Sequence, residues 1–207
     1  MYVPKHFATD DRKAIAELIR NFGFATLITV TDGVPFATHC PLLYDTDAGP
    51  HGTLLGHIAR ANPQWYHFAG GGEVLAIFQG PHAYVSPSWY GQHPSVPTWN
   101  YIAVHAYGAA RVIEGPVVRD ILARLVATYE AKDSDWSMAA LPEGYMTGME
   151  RGIVAFEIPV TRLEAKTKLS QNRGMEDRKR VIARLQALGG DDNLQIAQAM
   201  RTALEPA

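Results

Sequence analysis

Apolar residues at helical spacing predict a first helix near the start of the chain. Thr9 or Asp10 supplies a capping side chain, and Gly23 is typical of a helix end. The apolar positions between them are Ile15, Leu18, Ile19 and Phe22. A helix with this pattern buries one face and exposes the other.

Strand patterns dominate the next part of the chain. Two β-rich runs at 24–31 and 34–43 flank Asp32-Gly33, a pair typical of tight hairpin turns. Asn62-Pro63 predicts the start of a short helix, because asparagine caps helices and proline suits the first helical position. Further predicted strands are 53–58, 74–78 and 83–85, and a long strand is predicted at 98–114.

The second half of the chain has one long strand pattern and three helical ones. Gly115-Pro116 opens a predicted helix, and 133–148 is expected to be irregular. A strand starting at 153 is expected to break at Pro159 and to resume as far as Lys168. Two tail helices follow, separated by Gly189-Gly190.

Short strands joined by hairpins, with helices inserted between them, predict an α+β fold built on an antiparallel β-barrel. We expect a single domain over residues 1–207, with a helical C-terminal appendage at 170–207. A barrel also removes the exposed sheet edges that such strands would otherwise present.

A proline-rich loop with flanking aromatic residues interrupts the strands between 86 and 97. Pro87, Pro94 and Pro97 stiffen it, and Trp89 and Trp99 lie on either side of its centre. Flat side chains on a pre-ordered backbone suit a planar ligand, because little conformational entropy is lost on binding. The same rings are equally compatible with plugging a barrel or filling a dimer interface.

Composition limits the function classes. Of 207 residues 47% are hydrophobic, as in ordinary globular proteins, and the net charge of -2 gives no basic field for nucleic acid. The single cysteine, Cys40, and the lack of an apolar leader or spanning run predict a cytoplasmic protein with no membrane partner. No HExxH, CxxC, G-x-S-x-G, P-loop or GxGxxG pattern occurs, so no metal ligand or catalytic residue is predicted.

Two segments have the residue types of an anion site. Arg60 and Asn62 precede the predicted short helix, whose free N–H groups and dipole favour phosphate. The alternative is that Asn62 only caps the helix and that Arg60 is solvated. The second segment alternates cations and amides after the last strand, which suits a phosphate or a ribityl chain but also a solvated turn. Its residues are Lys166, Lys168, Ser170, Gln171 and Arg173.

Five blocks together resemble the PaiB family, described as FMN-binding negative transcriptional regulators. They are MYVPKHF, GHIARANPQW, FQGPHAYVSPSWY, VPTWNYIAVHAYG and KTKLSQNR, which occur in the family's order over nearly the whole chain. The resemblance implies the split β-barrel shared with pyridoxamine-phosphate-oxidase-like flavoproteins. It also implies a homodimer with FMN at the subunit interface.

The resemblance gives the candidate residues roles. The phosphate and ribityl candidates are Arg60, Asn62, Lys168, Ser170, Gln171 and Arg173. The isoalloxazine candidates are Trp89, Thr98, Trp99 and Asn100. His57 is a further candidate cofactor contact, although a lone histidine on a strand also fits a structural role.

Three functions fit this assignment. The first is an FMN-binding transcriptional regulator or sensor, and the second is a flavin reductase or oxidase on the same barrel. The third is a haem-binding or haem-degrading protein, which needs an axial ligand. The candidate ligands are His57, His82, His93 and His105. Direct DNA binding is doubtful, because Arg201 is the only cation of the last predicted helix.

Overall fold

The structure, a computed structural model, describes residues 1–205 and contains seven strands and five α-helices in that range. The strands are β1 Phe24–Thr31, β2 Val34–Asp45, β3 Thr53–Ala59, β4 Glu73–Val85, β5 Thr98–Ala109, β6 Arg111–Ile113 and β7 Ile153–Lys168. The helices are α1 Arg12–Asn21, α2 Val117–Tyr129, α3 Glu143–Arg151, α4 Met175–Leu188 and α5 Asp191–Thr202. Short 3-10 turns lie at Lys5–Phe7, Pro63–Gly70, Pro87–Trp89 and Met138–Ala140.

The seven strands form one sheet in the order β3-β2-β1-β4-β5-β7-β6, and β3 also pairs with β7. That extra pairing joins the two sides of the sheet, so six strands form a closed ring and β6 pairs with β7 beside it. The pairs with a resolved register are antiparallel. The predicted α+β fold on an antiparallel barrel is therefore confirmed.

The chain divides into two compact units. Unit 1 consists of Met1–Ile15, Gln79–Val104 and the chain from Glu164 onward; unit 2 consists of Ala16–Phe78 and His105–Leu163. The expectation of a single domain over 1–207 stays a prediction. The last two residues of the predicted appendage, 206 and 207, lie outside the described residues.

Unit 1 is built around the two tail helices. Val181 and Leu185 of α4 and Ile196 and Met200 of α5 are fully buried, in one cluster with Val85. Apolar residues at helical spacing form this cluster, and each buried side chain of that size contributes roughly 1.5–3 kcal/mol of hydrophobic stabilisation. The predicted helices and the break at Gly189-Gly190 are confirmed.

Unit 2 holds the larger part of the barrel. Leu27, Leu54, Phe78 and Phe156 are completely buried there. Helix α2 covers another face of the strands, where Ile121 and Leu125 pack against Leu55. Cys40 is 4% exposed, and burial raises the pKa of its thiol to about 12, so it is a packing residue and an inert thiol.

Two local predictions about helices are wrong. Asp11 rather than Thr9 or Asp10 caps α1, because its Oδ1 accepts hydrogen bonds from the backbone N–H groups of Lys13 and Ala14 at 2.9 and 3.2 Å. The segment expected to be irregular contains the Met138–Ala140 turn and most of α3. Met146 is the buried residue of α3, so this segment has almost no apolar residues at helical spacing from which the helix could be predicted.

Two predictions about strands also differ from the structure. The strand expected to end at 114 is interrupted at Ala110, and β6 follows as a separate strand. The expected break at Pro159 does not occur, and β7 runs through it. Pro159 lies opposite Thr53, where the pairing of β3 with β7 ends, so its missing N–H is tolerated. Within the described residues, helices that combine the length and apolarity needed to cross a membrane are absent.

Candidate functional site

The KTKLSQNR segment in unit 1 begins with the last three residues of β7 and continues as a tight, internally bonded turn. Ser170 has a φ of 61°, in the left-handed region, and Arg173 N donates to Ser170 O at 2.9 Å. The Gln171 side chain closes the turn, because its Oε1 accepts from Leu169 N at 2.7 Å and its Nε2 donates to Thr167 O. The backbone of this segment is therefore fixed before any ligand arrives.

Asn100 and Ser170 hold this turn against the start of β5. Asn100 is completely buried and Ser170 is 3% exposed. Asn100 Nδ2 donates to Ser170 Oγ at 3.0 Å, and Ser170 Oγ lies 3.1 Å from Asn100 Oδ1. We assign both residues to positioning the turn, and their predicted contacts with a flavin stay predictions.

Lys168 presents a cation at the start of the turn. Its Nζ donates to Thr98 Oγ1 and to Trp99 O, the second at 2.7 Å. Partial burial, and then the nearby charge of Lys166, lower the pKa of Lys168. Within residues 1–205 this ammonium makes no ion pair with a carboxylate.

Arg173 presents a second cation at the end of the same turn. Its guanidinium carbon lies 4.3 Å from the centroid of the Tyr90 ring, and its Nη1 donates to Ser95 Oγ at 3.3 Å. It has no carboxylate partner among the described residues either. Two cations of one fixed turn thus keep their charge uncompensated, which suits a bound anion.

Lys166 belongs to the same group but was left out of the predicted cofactor contacts. It is 7% exposed, its Nζ donates to Tyr2 O at 3.1 Å, and the Tyr101 ring centroid lies 5.1 Å away. Side chains alternate along a strand, so Lys166 and Lys168 lie on the same face of β7. This spacing is the sequence signal that could have identified Lys166. Its buried charge increases the positive potential around Lys168.

The proline-rich loop is held to unit 1 by hydrogen bonds. Gly91 N donates to Asp177 Oδ1 at 2.6 Å, and the Asp177 side chain is buried. Trp89 packs in part against the core of unit 1, whereas Trp99 is 52% exposed. Of the two tryptophans predicted to contact the flavin ring, Trp99 therefore has the larger accessible surface.

The remaining predicted residues lie in unit 2. Arg60 donates from Nε to Arg151 O and from Nη2 to Ile153 O, both at 2.7 Å, so it is bound to main-chain carbonyls. Asn62 Oδ1 accepts from Gln64 N at 3.0 Å, which confirms the predicted cap. His57 Nδ1 is buried without a hydrogen-bond partner in the described part of the chain, and burial lowers the pKa of this histidine.

Arg60 also lines a cavity of about 790 Å³ in unit 2. The neighbouring Trp65 also lines it, and the indole Nε1 of Trp65 donates to Arg60 O at 3.0 Å. The rest of the lining comes from β6, the start of α2 and the segment between them, the end of α3, and the start of β7. The unit 1 turn and the unit 2 cavity are therefore two candidate sites, each described within its own unit.

Comparison with known proteins adds a family and a fold. A family profile described as "Putative FMN-binding domain" matches residues 1–162. The chain is 38% identical over 206 residues to the protease synthase and sporulation protein PAI 2 of Bacillus subtilis, covering 99% of each chain.

Two solved structures share the fold at low sequence identity. A FAD and heme binding protein from Mycobacterium smegmatis has a TM-score of 0.63 at 15% identity, over 89% of this chain and 80% of that one. A flavocytochrome from Azotobacter vinelandii has a TM-score of 0.61 at 14% identity, over 86% and 78%. The predicted split-barrel fold is thereby supported.

Proposed function

This chain belongs to the PaiB family of FMN-binding-domain proteins, and from that premise we propose that it is an FMN-binding homodimer that acts as a regulator or sensor. The KTKLSQNR turn of unit 1 holds the phosphate in this proposal, and the exposed indole of Trp99 contacts the ring.

The uncompensated charge of the turn carries the proposal. Lys168 is partly buried and Arg173 is stacked on Tyr90, and each bonds only to neutral groups in the described chain. A cation that is partly removed from water without a counter-ion is destabilising, and a phosphate restores the lost interaction. The phosphate distinguishes FMN from riboflavin, so this turn selects the phosphorylated cofactor.

The neighbouring groups suit the rest of the cofactor. Thr98 and the carbonyl of Trp99 already bind Lys168, so the ammonium is fixed beside the exposed indole. Trp99 has 52% of its surface available for stacking on a planar ring. An additional contact from Trp89 of the same unit is part of the proposal, and the contacts expected from Arg60 and Asn62 stay predictions.

An uncovered apolar face in unit 2 supports dimerisation. Antiparallel pairing places alternate residues of β1, β2 and β4 side by side on this face. Its apolar members are Phe24, Ile28, Val30, Pro35, Ala37, Pro41, Leu75 and Ile77. Phe24 is 69% and Val30 is 61% exposed. The face is interrupted by one polar pair, Thr26 and His39, whose side chains hydrogen-bond to each other at 3.0 Å. A largely apolar exposed face is unusual on a monomer, and the family resemblance implies that a second copy of the chain covers it.

The regulatory part of the proposal rests on the Bacillus subtilis relative, whose name connects it with protease synthesis and sporulation. The proposal does not include regulation by direct binding to an operator, because Arg201 is the only cation within α5. We instead propose that the flavin state changes contacts with another partner.

The decisive experiment identifies the bound cofactor. Purified protein should show the visible absorption bands of oxidised flavin, and mass analysis after denaturation should find FMN. Release of FAD or riboflavin, or a Soret band, would contradict the proposal. Anaerobic addition of NADPH should reduce the flavin only slowly, whereas reduction at a catalytic rate would favour a reductase.

A further inference from the structure

A second site lies in unit 1, on the outer face of β4 beside the start of α5. It is an open cavity of about 590 Å³. Its lining residues are His82, Ala83, Tyr84, Trp99, Gly190, Asp191, Asp192 and Asn193. Lysine and arginine are missing from this described lining, so any fixed full charge in it is negative.

One wall of the cavity is aromatic. Tyr84 and Trp99 are 45% and 52% exposed, and their ring centroids are 5.9 Å apart at an interplanar angle of 73°. The His82 ring lies 6.0 Å from Trp99. Exposed π faces of tyrosine and tryptophan attract cations electrostatically, so Tyr84 and Trp99 form a partial cage for a positive group.

The lining of the cavity also includes two carboxylates. Asp191 and Asp192 are in the first turn of α5, and Asp192 Oδ2 lies 3.5 Å from His82 Nδ1. Acidic residues at this position stabilise a helix by compensating its dipole, which would explain their presence without a ligand. That explanation does not account for the exposed rings of Tyr84 and Trp99 in the same cavity. The dipole supplies about half a positive charge, so two carboxylates leave the wall negative.

We propose that this cavity binds a small organic cation of the alkylammonium class. Tyr84 and Trp99 contact its alkyl groups, and Asp191 and Asp192 compensate its charge. The cavity shares Trp99 with the proposed flavin site, but the cation site does not require flavin. The cation is therefore a second ligand of unit 1, in addition to the proposed flavin.

The test compares two ligands of nearly equal shape. Choline carries a quaternary ammonium, and 3,3-dimethyl-1-butanol replaces its nitrogen with carbon and is neutral. Binding to the full chain is followed by the four tryptophan indole N–H signals in NMR spectra, recorded as purified and after adding FMN. We expect choline to shift the Trp99 signal and to bind at least about fivefold more tightly than the neutral analogue.

Matched variants identify the groups responsible. Asp192→Asn and Tyr84→Leu should each weaken choline about threefold or more, with the neutral analogue unchanged for Asp192→Asn. Asp47→Asn and Tyr66→Leu are exposed controls in unit 2 and should have no effect. Equal binding of the two ligands would overturn the proposal. So would an Asp192→Asn variant that loses thermal stability but keeps its affinity for choline, since the carboxylate would then serve only the helix. The flavin content of each sample is measured separately, so the choline result can be interpreted even if the protein contains no flavin.

Discussion

Replacing Lys168 with methionine should weaken FMN binding without weakening riboflavin binding. Methionine keeps a long apolar stem but removes the ammonium group. In the structure the Lys168 ammonium already donates to Thr98 Oγ1 and Trp99 O. An ammonium has three N–H donors, so one remains for the phosphate.

That single donor sets the expected magnitude. A hydrogen bond to a charged group contributes roughly 1.5–3 kcal/mol, which corresponds to about a tenfold to hundredfold change in dissociation constant. Partial exposure of Lys168 favours the lower part of this range, because water screens the charge. Riboflavin lacks the phosphate, so its affinity should change by less than about threefold.

The assay is fluorescence titration of flavin-free protein with FMN and with riboflavin, at one fixed ionic strength. Lys179→Met is the matched control, because Lys179 is an exposed lysine of unit 1 whose partner is Glu176 at 2.9 Å. It should bind both flavins like the unmodified protein. Circular dichroism and urea unfolding would confirm that both variants are folded.

Equal losses of FMN and riboflavin affinity in Lys168→Met would refute the reasoning. Such a result would mean that the ammonium positions the backbone of Trp99 and does not hold the phosphate. Unchanged FMN affinity in Lys168→Met would also refute the reasoning, and Arg173 would then be the candidate phosphate contact. The double variant Lys168→Met, Arg173→Gln should lose more FMN affinity than either single variant, although not the full sum.

Further predictions concern assembly, stability and DNA. Val30→Asp should convert a dimer to monomers in analytical sedimentation, whereas the equally exposed Leu188→Asp should not; a wild-type monomer with bound FMN would contradict the interface proposal. Asn100→Ala should lower the free energy of unfolding by about 1–3 kcal/mol in urea, because Ser170 loses its buried partner, and the exposed Asn172→Ala should not. The folded protein has the lower Lys168 pKa, so just below the ordinary value of 10.5 the unfolded chain binds more protons. The unfolding free energy of flavin-free protein should therefore rise with pH in that window, and Lys168→Met should remove this part of the slope. DNA binding should be weak, salt-sensitive and independent of sequence, and a tight complex with one operator at physiological salt would disprove this.

Local sequence patterns predicted those elements that bury a regular apolar set. Helix α4 was found because Val181, Ile182 and Leu185 recur at helical spacing and are all buried. Helix α3 was missed because Met146 is its buried residue. The hairpin at Asp32-Gly33 was found because both residues adopt positive φ, at 53° and 76°, which that pair tolerates.

The candidate site could be predicted only in part from the sequence, because its hydrogen bonds join residues that are far apart in the chain. Residue types alone selected Lys168 and Arg173, and neither cation has a carboxylate partner in the described chain. They could not show that Asn100 and Ser170, 70 positions apart, would bind each other. Nor could they show that Arg60 would bind two carbonyls more than 90 positions away. Such pairings depend on the tertiary fold, which no short window of sequence contains.

The buried thiol of Cys40 makes the native chain a convenient starting point for site-specific labelling. It is the only cysteine of the sequence, it is 4% exposed, and burial raises its pKa to about 12. Maleimide reagents attack accessible thiolates, so they should leave folded protein unmodified. A cysteine introduced at the exposed Ser88, beside Trp89, would then react alone. A fluorophore attached there would report ligand arrival in unit 1 without any prior removal of a native cysteine.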